Sequence, residues 1–549
     1  MQKTSPSAIS RPRGDQGALS GSYLDFRDRK SLYGSLQGGT FDILVIGAGI
    51  TGCGIARDAA MRGLKVALVD SHDIASGTSS RSSKLIHGGL RYLAQGDVGL
   101  VKEAASERRV VRRIAPHLTR LNPMVLLART GKALLKLRAA VWSYERLGRV
   151  PKEDLHQVWS LSTLLSREPL LRPDAASGAV VYPEFLTDDA RLTLANARGA
   201  AQAGAIVATY TAAAKIMVRE GRAQGCVVNS TLNGEKLSAT ISARVIVNAA
   251  GPWVDSVRNM EEATSGRLLD LTKGIHLTVP MERLPINHTV VMSTPDRRAI
   301  FAVPRGRHVY IGTTDTFHPR PEYWPEINRD DVNYLLEVVN QTFEIEPIGP
   351  TDIITTWSGL RPLLHHPGRR PSEISRKEEV IVGPAGVITI AGGKLTCYRP
   401  MAARVVDLCE RRMGRMPSAC RTADVPLPGG DIVGSVDELQ GRLEAAGLEP
   451  HEAFRVSLLY GSEALEMTSG GWGPEAEALH AVTREGALTL EDFWFRRTGL
   501  GLFPPEDERA YLERASRTMA ELLGWSEQAR VEQLIRCLSL SRLHLKEVK

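Results

Sequence analysis

Apolar positions in this chain follow two rhythms. Residues 42–47, DILVIG, form a nearly unbroken apolar run, the pattern of a strand buried on both faces. From Thr51 to Arg62 the spacing becomes helical, and Gly63 ends it. VALVD (66–70) is a second buried run. Strand, glycine turn, helix and strand in close succession predict a βαβ unit. Two later stretches share this character. ARVIVNAAGPWVD (243–255) ends on Ala-Ala-Gly, and GVITIAGGKLTCYRPMAARVVDLCERR (386–412) reads as strand, Gly-Gly turn and helix. Both are expected to rejoin the sheet begun at residue 42, which requires a second domain inserted between its strands. HLTVP, AIFAVPRGRHVYIGTT and the surroundings of TDIITTWSGLRPLL predict strands of that insert.

Beyond residue 423 the pattern changes. Pro426, Pro428, Gly429 and Gly430 mark 424–431 as a linker, and helical periods fill 432–549. The first 40 residues are polar and basic without an apolar signal-like core, and read as an arm, in part disordered. The expected organisation is therefore an arm (1–40), a discontinuous two-part unit (41–423), a linker (424–431) and a helical domain (432–549).

The βαβ unit carries Gly47-x-Gly49-x-x-Gly52 between its first strand and its helix, and Asp70 at the end of its second strand. Glycines there let the backbone approach a pyrophosphate seated on the helix N-terminus, and the acid takes ribose hydroxyls. The unit predicts dinucleotide binding, without separating NAD from FAD.

Composition adds three constraints. No apolar run reaches the roughly 20 residues of a membrane span. The six cysteines are scattered without a CxxC pair, which argues for free thiols in a reducing compartment and against a zinc site or disulfide frame. The net charge of +7 is local: residues 101–150 hold twelve Lys/Arg against three acids, a net +9 that leaves −2 for the rest. That basicity suggests an anionic partner. Few aromatics and no nucleic-acid motif argue against nucleic acid, and a membrane surface fits better.

SSRSSKLIHGGLRYL (79–93) follows the dinucleotide unit with more hydrogen-bond donors than a plain surface loop needs. With IGAGITGCGIARDAAMRG, YPEFLTDDARL, NAAGPWVD, TKGIHL, IGTTD, WSGLRPLL, AGGKLTCYRP and RRTGLGL, in order from about residue 26 to about 540, the chain resembles the FAD-dependent, quinone-linked glycerol-3-phosphate dehydrogenases. The resemblance implies an α/β FAD-binding Rossmann-like domain of the D-amino-acid-oxidase (DAAO) type, an inserted mixed-sheet substrate domain and an all-α C-terminal domain. It implies oxidation of sn-glycerol 3-phosphate to dihydroxyacetone phosphate by hydride transfer to non-covalent FAD.

Site residues are carried over in the same way. Ser80, Ser82, Ser83, Lys84 and Leu85 are expected at the FAD, with Gly251, Gly393 and Thr396, and Gly88-Gly89 lets the backbone pass the isoalloxazine. Arg91 and Tyr92 are expected to face the substrate. The phosphate needs cations, for which Arg91, Arg361, Arg376 and Lys394 are the candidates. Arg361 has apolar neighbours, where an unpaired guanidinium is costly. Arg376 sits among charges, and only the resemblance promotes it. His276 follows a glycine on a predicted strand, and its ordinary pKa near about 6.5 suits proton abstraction. Whether His276 is the base, or binds the hydroxyl while Arg361 tunes it, stays open at this point. A helix opening near Thr396 would stabilise negative charge on the reduced flavin. No metal is expected. The basic segment 131–149, with Leu135, Trp142 and Tyr144, predicts an interfacial helix. The implied location is the cytoplasm, on the inner face of its membrane, with quinone as acceptor. A peroxide-forming oxidase is the alternative, and a homodimer is an assembly the sequence leaves open.

Overall fold

The structure is a computed structural model that describes residues 23–88, 97–261, 266–294, 298–365 and 378–543. In chain order, α1 (Arg29–Gln37) leads into β1 (Thr40–Ile46), α2 (Ile50–Met61) and β2 (Val66–Val69). Then come the short β3 (Leu85–Ile86), α3 (Val98–Ile114), β4 (Arg120–Ala128), α4 (Gly131–Gly148) and β5 (Gly178–Leu186). They are followed by α5 (Asp189–Gln202), β6 (Ile206–Ala208), β7 (Ser238–Asn248) and β8 (Leu269–Pro280). The other labelled elements are β9 (His308–Gly312), β10 (Thr355–Leu364), β11 (Ile388–Ala391) and α6 (Tyr398–Arg412).

Strands β11, β7, β1, β2 and β6 lie side by side in that order, all parallel. Segments far apart in sequence thus rejoin one sheet, as their apolar runs predict. Ile43, Leu44 and Val45 of β1 are fully buried, which is why the run shows no alternation.

The second sheet is mixed. Antiparallel pairs join β8 to β9 and β10, and β5 to β3 and β4. A parallel pair between β4 and Thr289–Ser293 unites the two groups. The sheet is therefore drawn from two insertions, one between β2 and β6, the other between β7 and β11. The first is faint in the sequence because Asn122, Pro123, Pro183 and Glu184 interrupt its strands.

The structure adds detail at both ends of the chain. The described part of the arm is fixed in place: Asp28 caps α1, and Arg29 donates to the carbonyl of Thr209 at 2.9 Å. The C-terminal domain is helical, as expected, and packs tightly on the first unit. Its Ala478, Phe493 and Leu512 share one continuous core with Ile43, Val45 and Val405. Asp492–Arg497 is wound as a π-helix, and Arg496 and Arg497 clamp Asp73 just past β2, at 2.7 Å each. All three of these side chains are buried, so the clamp is internal structure. All six cysteines are free thiols.

Candidate active site

An open α/β sheet binds ligands beyond the carboxyl ends of its strands. Four of the expected residues converge there: Gly47 follows β1, Asp70 follows β2, Gly251 follows β7 and Gly393 follows β11. Gly47 has φ +110°, a conformation that favours glycine. At Gly52 a Cβ would overlap the Gly47 carbonyl, so only glycine lets α2 begin hard against the turn. Gly49 caps α2 without a side chain, and the Ile50 amide donates to Ser79 Oγ at 3.0 Å. Asp70 accepts from the Ala48 amide at 2.6 Å and the His72 amide at 2.8 Å. Burial pushes its carboxyl up to about 6, against those two bonds. A bare cradle at a helix N-terminus, with an acid one strand away, fits the pyrophosphate and ribose of FAD.

The second sheet presents a face to this edge. Side chains alternate along a strand, so Thr272, Gly274, His276 and Thr278 of β8 share a face. Arg361, Gly359, Trp357 and Thr355 of β10 stand opposite them in turn. On the other flank Gly312 of β9 pairs with His276, and Tyr310 with Thr278. The His276 and Trp357 rings stack at 4.6 Å and 9°. Between His276 and Arg361 the floor is the Gly274–Gly359 pair, and a Cβ at Gly274 would overlap the Arg361 guanidinium.

The segment from Thr78 to Lys84 is strapped across that face. Thr78 Oγ1 donates to the Leu360 carbonyl at 2.6 Å, Trp357 Nε1 to that of Ser82 at 3.2 Å, and Tyr310 Oη to that of Ser83 at 2.8 Å. Ser83 Oγ lies 2.9 Å from His276 Nε2. His276 is buried, and its Nδ1 has no hydrogen-bond partner among the described residues. Its pKa is therefore not the ordinary one: burial first, then the charges of Arg361 and Lys84, lower it well below 6.5. Arg361 is paired, donating to Thr313 Oγ1 at 2.8 Å and to Asp315 Oδ1 at 3.2 Å.

Three of the expected positions are engaged within the protein. Lys84 has partners within the protein. It lies buried against Asp189 Oδ1 at 2.6 Å and the Ser80 carbonyl at 3.2 Å, on a left-handed backbone with φ +54°. At Gly88 the packing is close. A Cβ there would overlap the hydroxyl of Tyr144 on α4, while its amide donates to Glu184 Oε1 at 3.1 Å. The helix expected near Thr396 opens at Tyr398, after a 3-10 turn over Leu395–Cys397 capped by Lys394. Thr396 Oγ1 donates to the His87 carbonyl at 3.2 Å, tying the two turns together.

Among the other expected cofactor residues, Ser80 is buried, Ser82 Oγ accepts from the Lys84 amide at 2.9 Å, and Leu85 pairs with Leu186 in the second sheet. Arg91, Tyr92 and Arg376 lie outside the described residues. Ser79, Glu184, Asp189, Asp315 and Trp357 were not singled out. Each stands within a segment that carries the resemblance, but its partner is remote in sequence.

Comparisons with known proteins bear on the family and the fold. Residues 42–399 match the family model described as FAD dependent oxidoreductase. Residues 474–530 match that of the C-terminal domain of alpha-glycerophosphate oxidase. The chain is 37% identical over 516 residues to the aerobic glycerol-3-phosphate dehydrogenase of Bacillus subtilis, covering 89% of this chain and 93% of that protein. Against the enzyme of the same name from Staphylococcus aureus it is 37% identical over 523 residues, covering 91% and 94%. The solved glycerol-3-phosphate dehydrogenase of Bacillus halodurans, complexed with FAD, superposes with TM-score 0.79 at 32% identity, over 96% of this chain and 100% of that one. The FAD-bound L-alpha-glycerophosphate oxidase of Mycoplasma pneumoniae shares the fold, with TM-score 0.55 and 18% identity over 71% of this chain and 99% of its own.

Proposed function

The chain belongs to the FAD-dependent glycerol-3-phosphate dehydrogenase family, and from that premise we propose that it carries electrons from sn-glycerol 3-phosphate to a membrane quinone. It is an FAD-dependent glycerol-3-phosphate dehydrogenase; in this reading, oxidation of the C2 alcohol to a ketone gives dihydroxyacetone phosphate. The observation that carries the site assignment is the common face of His276 and Arg361, joined by Ser83 to the loop that leaves the dinucleotide turn. Bound FAD supplies the acceptor for the C2 hydride. His276, kept neutral by burial, takes the proton of the C2 hydroxyl at Nε2, the nitrogen that faces the loop. Arg361, oriented by Thr313 and Asp315, opposes a second positive charge on His276 and attracts the anionic substrate. Lys394, Arg91, Tyr92 and Arg376 complete the phosphate site in this proposal.

The acceptor reading rests on α4. Leu135 is 67% exposed and Trp142 55%, and Lys132, Lys136, Arg138 and Arg146 are exposed around them. Apolar and cationic groups on one outer face suit an anionic lipid surface, so we place the enzyme peripherally on the inner face of the cytoplasmic membrane. No helix among the described residues is long and apolar enough to cross a membrane. The match of residues 474–530 to a domain named for an oxidase favours a second reading, electron transfer to oxygen.

One experiment addresses both steps. Anaerobic addition of sn-glycerol 3-phosphate to the FAD-loaded protein should bleach the flavin absorbance, and a soluble quinone should restore it. Flavin that stays oxidised refutes the substrate assignment. Reoxidation by oxygen as fast as by quinone, with peroxide formed, favours the oxidase.

A further inference from the structure

The segment 492–503, π-helix followed by TGLGLF, has no part in the reaction described above, yet it ends behind His276. The carbonyl of Leu502 accepts from Thr355 Oγ1 at 2.6 Å and from Thr278 Oγ1 at 3.5 Å. Those threonines face each other across β8 and β10, one pair along from His276 and Trp357. The next residue, Phe503, meets Trp357 edge-on at 5.8 Å, Tyr310 at 5.8 Å and His308 at 6.1 Å. Arg305 lies over the Phe503 ring, 4.5 Å from its centre, and pairs with Asp188 at 3.2 Å. Phe503 therefore backs Trp357, which in turn stacks on the imidazole.

We propose that Phe503 is a positioning residue for the oxidation, by which the C-terminal domain fixes the plane of His276 through Trp357. The physical reason is close packing. His276 has no hydrogen bond at Nδ1 among the described residues, so Ser83 at Nε2 restrains one end of the ring and stacking must restrain the rest. Trp357 can do this only while its own tilt is fixed, by Ser82 on one side and Phe503 on the other. A cavity behind an aromatic ring releases that tilt and admits water. A general base misplaced by a fraction of an ångström loses rate while leaving substrate affinity unchanged.

The inference rests on His276 being the proton acceptor, and the test separates the two. FAD-loaded Phe503→Ala, Phe503→Tyr and His276→Asn are compared by anaerobic flavin bleaching across pH. The charged and titratable groups around His276 are Arg361 on β10, Tyr310 on β9, and Lys84 with Asp189 behind the loop. None is altered in the Phe503 variants. Phe503→Ala should lower the limiting rate about tenfold or more with KM within twofold of the parent. It should also move the acid limb of the profile up towards the ordinary histidine value, because water reaches the ring. Phe503→Tyr, which keeps the ring, should restore both. If Phe503→Ala does not fold, Thr355→Val, which removes only the bond to Leu502, should show the same shift in smaller degree. An unchanged rate and acid limb in the folded Phe503 or Thr355 variant, with His276→Asn inactive, overturns the positioning role alone. An active His276→Asn removes the base assignment and the inference with it.

Discussion

His276 illustrates how burial changes a residue's chemistry. In water its ring is half-charged near neutral pH; under Trp357 and beside Arg361 it resists the proton. Its folded pKa is depressed, so the acid limb of kcat/KM should lie below pH 6.5, and His276→Asn should cost about 10²–10⁴ in rate. A limb at or above 6.5 in the parent would contradict the buried geometry. The sign for stability follows: as pH falls below 6.5 the unfolded chain binds this proton before the folded one, so stability declines through that window. Lys84 makes the opposite lesson. The resemblance gives it to the cofactor, but its charge is matched inside the protein by Asp189. Lys84→Met should therefore cost roughly 3–5 kcal/mol of stability by stranding a buried carboxylate, and adding Asp189→Leu should recover part of it. Thermal unfolding of the two variants decides; a Lys84→Met protein of parental stability would return the lysine to the cofactor. The residues that carry sequence motifs were legible one at a time. Their partners were not, because Ser83 and His276, or Lys84 and Asp189, meet only through the fold.

At the scale of the element, the βαβ unit and the β8, β9 and β10 strands were legible, since each has its own apolar rhythm or glycine turn. Strands β4 and β5 were not, because their prolines and buried polar groups disguise them. Helix α4 was legible as amphipathic, but its inner face was not. Tyr144 packs where Gly88 lacks a side chain, so the same helix supports the turn at Gly88. Some of the basic charge around it is also internal: Arg108 is buried against Glu184 at 2.6 Å. The outward cations are the ones to change. Replacing Lys136 and Arg138 by Glu should weaken binding to anionic liposomes at least tenfold at low salt, by about 1 kcal/mol per charge removed and more on reversal, and less at high salt. Co-sedimentation indistinguishable from the parent would exclude α4 as the contact.

For the whole molecule, the decisive contacts cross domain boundaries. Asp73, buried between Arg496 and Arg497, ties the C-terminal helices to the segment linking Asp70 with Ser79. Asp73→Asn takes the ion-pair partner from buried Arg497, while Arg496 keeps Glu491 and Asp492, at a cost of roughly 3–5 kcal/mol. It should lower the unfolding temperature and hasten loss of FAD; retention of both at parental values would show the clamp to be dispensable. No linker composition could reveal that clamp, since Pro426 and Gly429 mark a bend in the chain and say nothing of what packs across it. The order of the parallel sheet has a further consequence, in time. β1 and β2 emerge early from the ribosome, but β7, the other neighbour of β1, begins only at residue 238, and β11, the neighbour of β7, only at residue 388. At about 5–20 residues per second, β11 follows β1 by roughly 20–70 s. For that interval the growing sheet has an open apolar edge, first at β1 and then at β7, and this is when the nascent chain most needs a chaperone.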